Sequence, residues 1–246
     1  MKFACQLAFA CLSIAFVSGC GAPPGKPRGQ EVIPPDQVTD FATLYSSNCA
    51  GCHGADGKGG AAISLADPLY LAIADNDALR NATANGVSGT QMPAFAQSAG
   101  GTLTSAQIDR IVDSIRTHWS QPNVLGTSEA PSYHAKGSGS AIQGGADYKM
   151  FCESCHGADG RGTPKGSSIT NPAFLSLVSD QYLRTLVIVG RPELGAPDWR
   201  ANVPGHPMSD QEITDVVAWL ASQRPAPAAL SAPTNELHPQ EPGHAQ

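Results

Sequence analysis

Apolar side chains recur at helical spacing along most of the chain, and this spacing predicts an all-α protein. Phe41, Leu44 and Tyr45 stand at positions i, i+3 and i+4, which indicates a short helix. A longer helix is expected after the capping residue Thr104, and Pro122 would end it. The apolar positions of this longer helix are Ile108, Ile111, Val112, Ile115 and Trp119.

The same order of elements occurs a second time. A middle helix is expected over 76–84 in the first half and over 180–189 in the second, closed by Gly86 and Gly190 respectively. Ser209 then takes the place of Thr104 as the cap of a final helix. The apolar positions of that helix are Ile213, Val216, Val217, Trp219 and Leu220. The chain therefore reads as two related helical domains.

Each half also contains a Cys-x-x-Cys-His motif, followed by a glycine-rich loop. The motif residues are Cys49, Cys52 and His53 in the first copy and Cys152, Cys155 and His156 in the second. A cysteine pair alone would leave zinc binding or thiol redox chemistry open. A histidine directly after the second cysteine is instead the attachment signature of a c-type haem, in which the thiols bond to the haem vinyl groups. The sequence predicts two covalently attached haems c.

With these motifs, the order of helices resembles the class I cytochrome c family over residues 39–120 and again over 142–224. The resemblance implies two tandem domains, each made of a few helices and loops wrapped around a covalent haem. It also implies that His53 and His156 are the proximal iron ligands and that the four motif cysteines are the thioether anchors. The family's distal ligand is a methionine in the loop before the last helix, which corresponds here to Met92.

The chemistry of Met92 agrees with that role. A thioether is a soft ligand, and a Met/His pair raises the reduction potential of haem iron relative to harder ligands. The alternative is that Met92 fills a gap in the core. Its place in a loop directly before a proline favours the ligand interpretation.

The second domain departs from the family pattern at the distal position. The two halves align without a gap from 80–95 to 184–199, and this alignment places Ala196 opposite Met92. Met208 stands opposite Leu103, just before the final helix, so packing is its first interpretation and iron ligation its second.

His206 is a further candidate ligand, since neutral imidazole binds haem iron well. A histidine in a surface loop is the simpler interpretation of this residue. The sequence leaves three outcomes for the second haem: ligation by Met208, ligation by His206, or an open sixth site.

The two ends of the chain carry signals of a different kind. Residues 1–19 have the charge and apolar run of a signal peptide, and 17–20 resembles the lipobox of bacterial lipoproteins. That resemblance implies lipid attachment at Cys20, with ordinary signal cleavage as the alternative. Residues 20–38 are expected to form a flexible tether, and 225–246 a disordered proline-rich tail. The predicted location is the periplasm or the outer face of a bacterial membrane.

Composition and charge limit the classes of molecule that the protein is expected to bind. The net charge of −6 argues against binding nucleic acid or an acidic membrane surface. Only 15% of residues are charged, while 26 glycines and 20 prolines suit small helical domains with long loops. Residues 121–141 are rich in Pro, Gly and Ser and are interpreted as an interdomain linker, compatible with a fixed or a loose arrangement.

These features favour a carrier of electrons between membrane-associated redox proteins, such as respiratory complexes or a terminal oxidase, rather than an enzyme. The alternative is a peroxidase-like oxidoreductase or small-ligand-binding protein that uses an open second haem. Glu193 and Asp198 flank Ala196, but both are interpreted as solvated loop charges rather than as a catalytic acid or base. A sensor, or a structural subunit of a larger oxidase, is a third possibility.

Overall fold

The computed structural model describes residues 32–225. The predicted signal peptide, the predicted lipid site at Cys20, most of the predicted tether and nearly all of the predicted tail lie outside this range. Within it, none of the helices combines the length and the apolar character needed to cross a membrane.

The described residues form α-helices, short 3-10 turns and loops, with no strands, so the all-α prediction is confirmed. The helices before residue 120 are α1 (Phe41–Asn48), α2 (Ala50–His53), α3 (Pro68–Ile73), α4 (Asn76–Asn85) and α5 (Ser105–Trp119). Those after residue 140 are α6 (Ala141–Phe151), α7 (Glu153–His156), α8 (Pro172–Leu177), α9 (Asp180–Val189) and α10 (Asp210–Ser222).

Local capping explains where the main helices begin. Asp40 caps α1 by accepting a hydrogen bond from the Thr43 backbone. Thr104 caps α5 and Ser209 caps α10, each in a reciprocal capping box with the third residue of its helix. Both long helices therefore start where the sequence places them.

In each domain the first helix packs against the last. Phe41 and Tyr45 of α1 meet Trp119 of α5 in edge-to-face contacts, with ring centroids 5.9 and 5.3 Å apart. Tyr148 of α6 stacks on Trp219 of α10 at 4.2 Å. Aromatic contacts thus join the first helix to the last in both domains.

Gly144 allows α6 to approach α10 especially closely. A Cβ atom at this position would lie 1.8 Å from the backbone oxygen of Asp215. Any larger residue would therefore push the two helices apart, which explains why a residue with poor helix propensity stands inside α6.

The segment between the two domains is packed rather than loose. Its residues Val124, Leu125, Ala130 and Tyr133 are partly buried against the core. The ring of Tyr133 contacts that of Tyr70 in α3, with ring centroids 6.3 Å apart. All described residues from Val38 onward belong to one compact unit, which favours the fixed over the loose arrangement of the linker.

Arg184 of α9 holds the linker from the other side. Its side chain is only 3% exposed and donates hydrogen bonds to the backbone oxygens of Ser132 and Tyr133. The same guanidinium donates to Thr214 and forms an ion pair with Asp210 on α10. Arg80, its counterpart in the first domain, is 37% exposed and pairs with Asp109 at the surface.

This contrast predicts unequal costs for the same substitution. Arg184→Met leaves the Ser132 and Tyr133 carbonyls without their donor, so the free energy of unfolding should fall by about 2–4 kcal/mol. Arg80→Met removes only a surface ion pair and should cost less than about 1 kcal/mol. Guanidinium unfolding of the two holoprotein variants checks this, and equal losses would show that Arg184 does not anchor the linker.

Candidate haem sites

The three side chains of each motif are brought together by one helical turn. Backbone hydrogen bonds run from His53 to Cys49 at 3.0 Å and from His156 to Cys152 at 2.9 Å. Residues at i, i+3 and i+4 of a helical turn share one side of it. The two cysteines and the histidine of each motif therefore lie beside one another, as attachment to a single ring requires.

Both motif histidines are anchored through the same ring atom. Nδ1 of His53 lies 2.8 Å from the Ile63 carbonyl oxygen, and Nδ1 of His156 lies 2.7 Å from that of Ser167. A carbonyl oxygen can only accept, so Nδ1 must carry the hydrogen and Nε2 keeps its lone pair. Burial also lowers the pKa of His53, against the opposing effect of its hydrogen bond, which favours the neutral ring that binds a metal.

The first cysteine of each motif is partly buried, and its thiol keeps the proton. Burial raises the pKa of Cys49 to about 11, and burial, with a smaller contribution from Cys155, raises that of Cys152 to about 12. Cys52 and Cys155 are exposed, and all four cysteines are free of disulfides. Buried thiols of high pKa are poor redox nucleophiles, which counts against a thiol–disulfide role.

A tyrosine ties each first helix to the loop after the motif. The hydroxyl of Tyr45 donates to the Gly54 carbonyl at 2.9 Å, and Tyr148 donates to the Gly157 carbonyl. Burial raises the pKa of both tyrosines to about 12, so the hydroxyls stay protonated donors. Gly54 has a φ of +84°, and a Cβ there would lie 1.9 Å from the Lys58 carbonyl oxygen, so this turn needs glycine.

A cavity of about 770 Å³ opens beside the second motif. Cys152, Cys155 and His156 line it, and so do apolar side chains of α8 to α10 such as Phe174, Leu183 and Val216. Lys165 and Arg191 also line the cavity and supply basic groups there, as binding of the haem carboxylates would require. An apolar space of this size with basic side chains fits a haem.

Backbone contacts in the two distal loops support the alignment of the halves. Val87 N–H donates to the Met92 carbonyl at 3.0 Å, and Arg191 N–H donates to the Ala196 carbonyl at the same distance. Ala196 therefore occupies the backbone position of Met92 in the second domain. Met92 itself is partly buried in its loop.

A second pair of contacts gives the counterpart of Met208. Leu103 N–H donates to the Phe95 carbonyl at 2.8 Å, and Met208 N–H donates to the Trp199 carbonyl at 2.9 Å. Met208 is 2% exposed and lines the haem-sized cavity together with Ala196.

His206 does not line that cavity. Its Nε2 lies 3.1 Å from Oε1 of Glu212, and its ring meets Phe151 edge-on with centroids 5.2 Å apart. The half-exposed imidazole is thus engaged at the start of α10.

The two carboxylates near Ala196 form ion pairs rather than being merely solvated. Glu193 pairs with Arg191, and Asp198 pairs with Arg200 at 2.6 Å. Burial acts to raise both carboxyl pKa values, but the arginine contacts outweigh it and hold them below their usual range.

Two protein-family models match separate parts of the chain. The model described as cytochrome c oxidase, cbb3-type, subunit III matches residues 36–113, and the model described as cytochrome c matches 141–224. The chain is a tandem of two cytochrome c domains. Its two Cys-x-x-Cys motifs accordingly carry two covalent haems c.

Comparison with solved structures finds three examples of distant likeness to this di-haem cytochrome. A reducing HAO-like protein complex from Kuenenia stuttgartiensis shares 16% identity over 79% of this chain and 100% of its own, with a TM-score of 0.38. Thiosulfate dehydrogenase from Marichromatium purpuratum shares 18% identity over 71% of this chain and 40% of its own, with a TM-score of 0.32. Cytochrome cL from Methylophaga aminisulfidivorans shares 20% identity over 33% of this chain and 53% of its own, with a TM-score of 0.27.

No curated protein sequence matches the di-haem cytochrome. The three TM-scores all lie below 0.5, so its assignment rests on the two family models.

Sequence reasoning missed several residues that shape the sites of the di-haem cytochrome. The carbonyls of Ile63 and Ser167 orient the histidines, but a backbone oxygen carries no sequence signal. Asn202 lines the cavity and donates to the sulfur of Met208 at 3.7 Å. Its position in a loop beside the candidate ligands was the only available hint.

Haem attachment predicts a simple stoichiometry. Replacing Cys152 and Cys155 by alanine removes both thioether bonds of one domain, so the denatured chain should retain one haem instead of two. The matched pair Cys49→Ala and Cys52→Ala should give the same mass loss. Mass spectrometry of the denatured proteins measures this, and a variant that keeps both haems would contradict the assignment.

Proposed function

We propose that this di-haem cytochrome carries electrons between redox proteins of the cell envelope. The observation that carries the proposal is the anchored imidazole, repeated in both domains, which presents an unprotonated Nε2 beside two cysteine thiols. Haem iron supplies the one-electron chemistry in such a site, and the protein supplies the ligands.

A carrier benefits from ligands that stay in place when the iron changes oxidation state. The hydrogen bonds of His53 to Ile63 and of His156 to Ser167 restrict rotation of the two imidazoles. We assign His53 and Met92 as the ligand pair of the first haem and His156 as the proximal ligand of the second. The loop of Met92 is closed by the Val87 contact, and the residues after it are tied to α4, because Phe95 N–H donates to the Thr83 carbonyl at 3.1 Å.

The proposed partners are membrane-associated respiratory proteins. The match of residues 36–113 to a subunit of cbb3-type cytochrome c oxidase supports a terminal oxidase as one of them. We propose an exported location, with lipid at Cys20 as the membrane anchor, on the strength of the lipobox-like sequence 17–20. The net charge of −6 supports protein partners over nucleic acid.

A second candidate function, peroxidase-like chemistry at an open second haem, is favoured by one observation: Ala196 replaces the distal methionine beside a large cavity. Proton transfer at that site would need an acid or base near the iron. Glu193 and Asp198 are the nearby carboxylates, and their lowered pKa values keep them ionised at neutral pH. Neither side chain lines the cavity, and each is paired with an arginine, which favours the carrier.

The carrier proposal predicts reversible redox cycling without turnover. Both haems should be reduced and reoxidised repeatedly in a potentiometric titration with full recovery of the spectrum. Hydrogen peroxide added with a reducing dye should give no steady-state dye oxidation above that of free haem c peptide. Sustained turnover that saturates with peroxide would establish the enzyme instead.

The assignment of Met92 predicts a change confined to the first haem. Met92→Leu removes the thioether but keeps an apolar side chain, so the potential of one haem should fall and its ferrous form should bind CO. The band at the red end of the ferric spectrum that marks a methionine–iron bond should weaken. Met150→Leu, a change at a methionine that is 55% exposed on α6, is the control and should alter neither property. An unchanged Met92→Leu spectrum would exclude Met92 as a ligand.

A further inference from the structure

We propose that Met208 is the sixth ligand of the second haem and that Asn202 orients its sulfur. The proposal deepens the carrier function and rests on it, because a carrier haem needs a ligand at both axial positions. It resolves the three outcomes that the sequence leaves for this site.

The first support is position. Met208 lines the same cavity as His156 and the two cysteines of the second motif. Its side chain is 2% exposed and therefore packs tightly within the wall of the cavity. Ala196 also lines the cavity, but its methyl group offers iron no lone pair.

The second support is a polar contact that packing alone does not require. Nδ2 of Asn202 donates to Sδ of Met208 at 3.7 Å and to the Asp198 carbonyl at 3.3 Å. The Asp198 contact fixes the amide, and the amide in turn restricts the thioether. A thioether sulfur has two lone pairs, so accepting from Asn202 leaves one pair for a metal.

The third support is the comparison between domains. Leu103 occupies the equivalent backbone position in the first domain, where Met92 is available as a ligand. The second domain has the opposite arrangement, with an alanine at the Met92 position and a methionine at the Leu103 position. The segment between Trp199 and Met208 is also one residue longer than its counterpart, and this segment contains Asn202.

His206 is the competing ligand, and its contacts argue against it. Its Nε2 lies 3.1 Å from Oε1 of Glu212, the residue whose side chain also closes the capping box of α10. Moving the imidazole to the iron would break that contact at the capping box of α10. Met208 needs no such rearrangement to reach the cavity, since it already lines it.

The decisive variant is Met208→Leu, which introduces the residue that the first domain uses at this position. The wild-type ferrous protein should bind no CO. The variant should bind one CO per chain and lose half of the ferric methionine–iron band, while Met92→Leu with Met208→Leu should lose all of it. Retention of the full band in Met208→Leu, or CO binding at the second haem of the wild type, would overturn the proposal.

His206→Gln is the matched control and should leave the band and the absence of CO binding unchanged. CO binding by this variant would identify His206 as the ligand instead and overturn the proposal. These optical outcomes are separate from peroxide turnover, so a wrong ligand and a wrong function can be told apart.

The role of Asn202 has its own readout. The amide withdraws electron density from the sulfur, so Asn202→Ala should lower the potential of the second haem and leave that of the first unchanged. The methionine–iron band should persist at shifted wavelength, which mere loss of stability would not produce. An unchanged second potential would show that Asn202 does not act on the ligand.

Discussion

The hydrogen bond between a histidine ring and a loop carbonyl is the contact on which each haem site depends. The cysteines fix where a haem is attached, but they do not decide which way the imidazole faces. Binding Nδ1 to Ile63 or Ser167 sets both the tautomer and the orientation of the ring. The glycine-rich loop after each motif therefore serves to bring a backbone oxygen back to the histidine.

The two domains keep this proximal arrangement and differ elsewhere. Tyrosine-to-carbonyl contacts, capping boxes and the packing of first on last helix all occur twice. Arg80 and Arg184 show how one aligned position can acquire different tasks, because the first pairs at the surface and the second is buried under the linker. The distal loops also differ at aligned positions. The first domain has Met92 and Leu103 where the second has Ala196 and Met208.

Most of the fold could be predicted from the sequence because its signals are local. Thr104 and Ser209 cap helices through contacts within four residues, and the haem motifs lie within a single turn. The linker could not be predicted in this way. Its composition suited a loose or a fixed chain, and the choice depends on Arg184, which is about fifty residues away in sequence. The contact of Asn202 with Met208 likewise depends on how a loop folds back, for which the sequence carries no periodic signal.

The linker is joined to both domains by buried side chains. Tyr70 of the first domain contacts Tyr133 of the linker, and the Tyr133 carbonyl accepts from Arg184 of the second domain. This series of contacts is buried at both ends, since Tyr70 is 5% and Arg184 is 2% exposed. A buried cationic side chain is costly unless its hydrogen-bond partners stay in place. Detachment of the linker would remove the Ser132 and Tyr133 carbonyls from the Arg184 guanidinium. Under the proposed carrier function, a linker held in this way would keep the two haem sites at one relative placement.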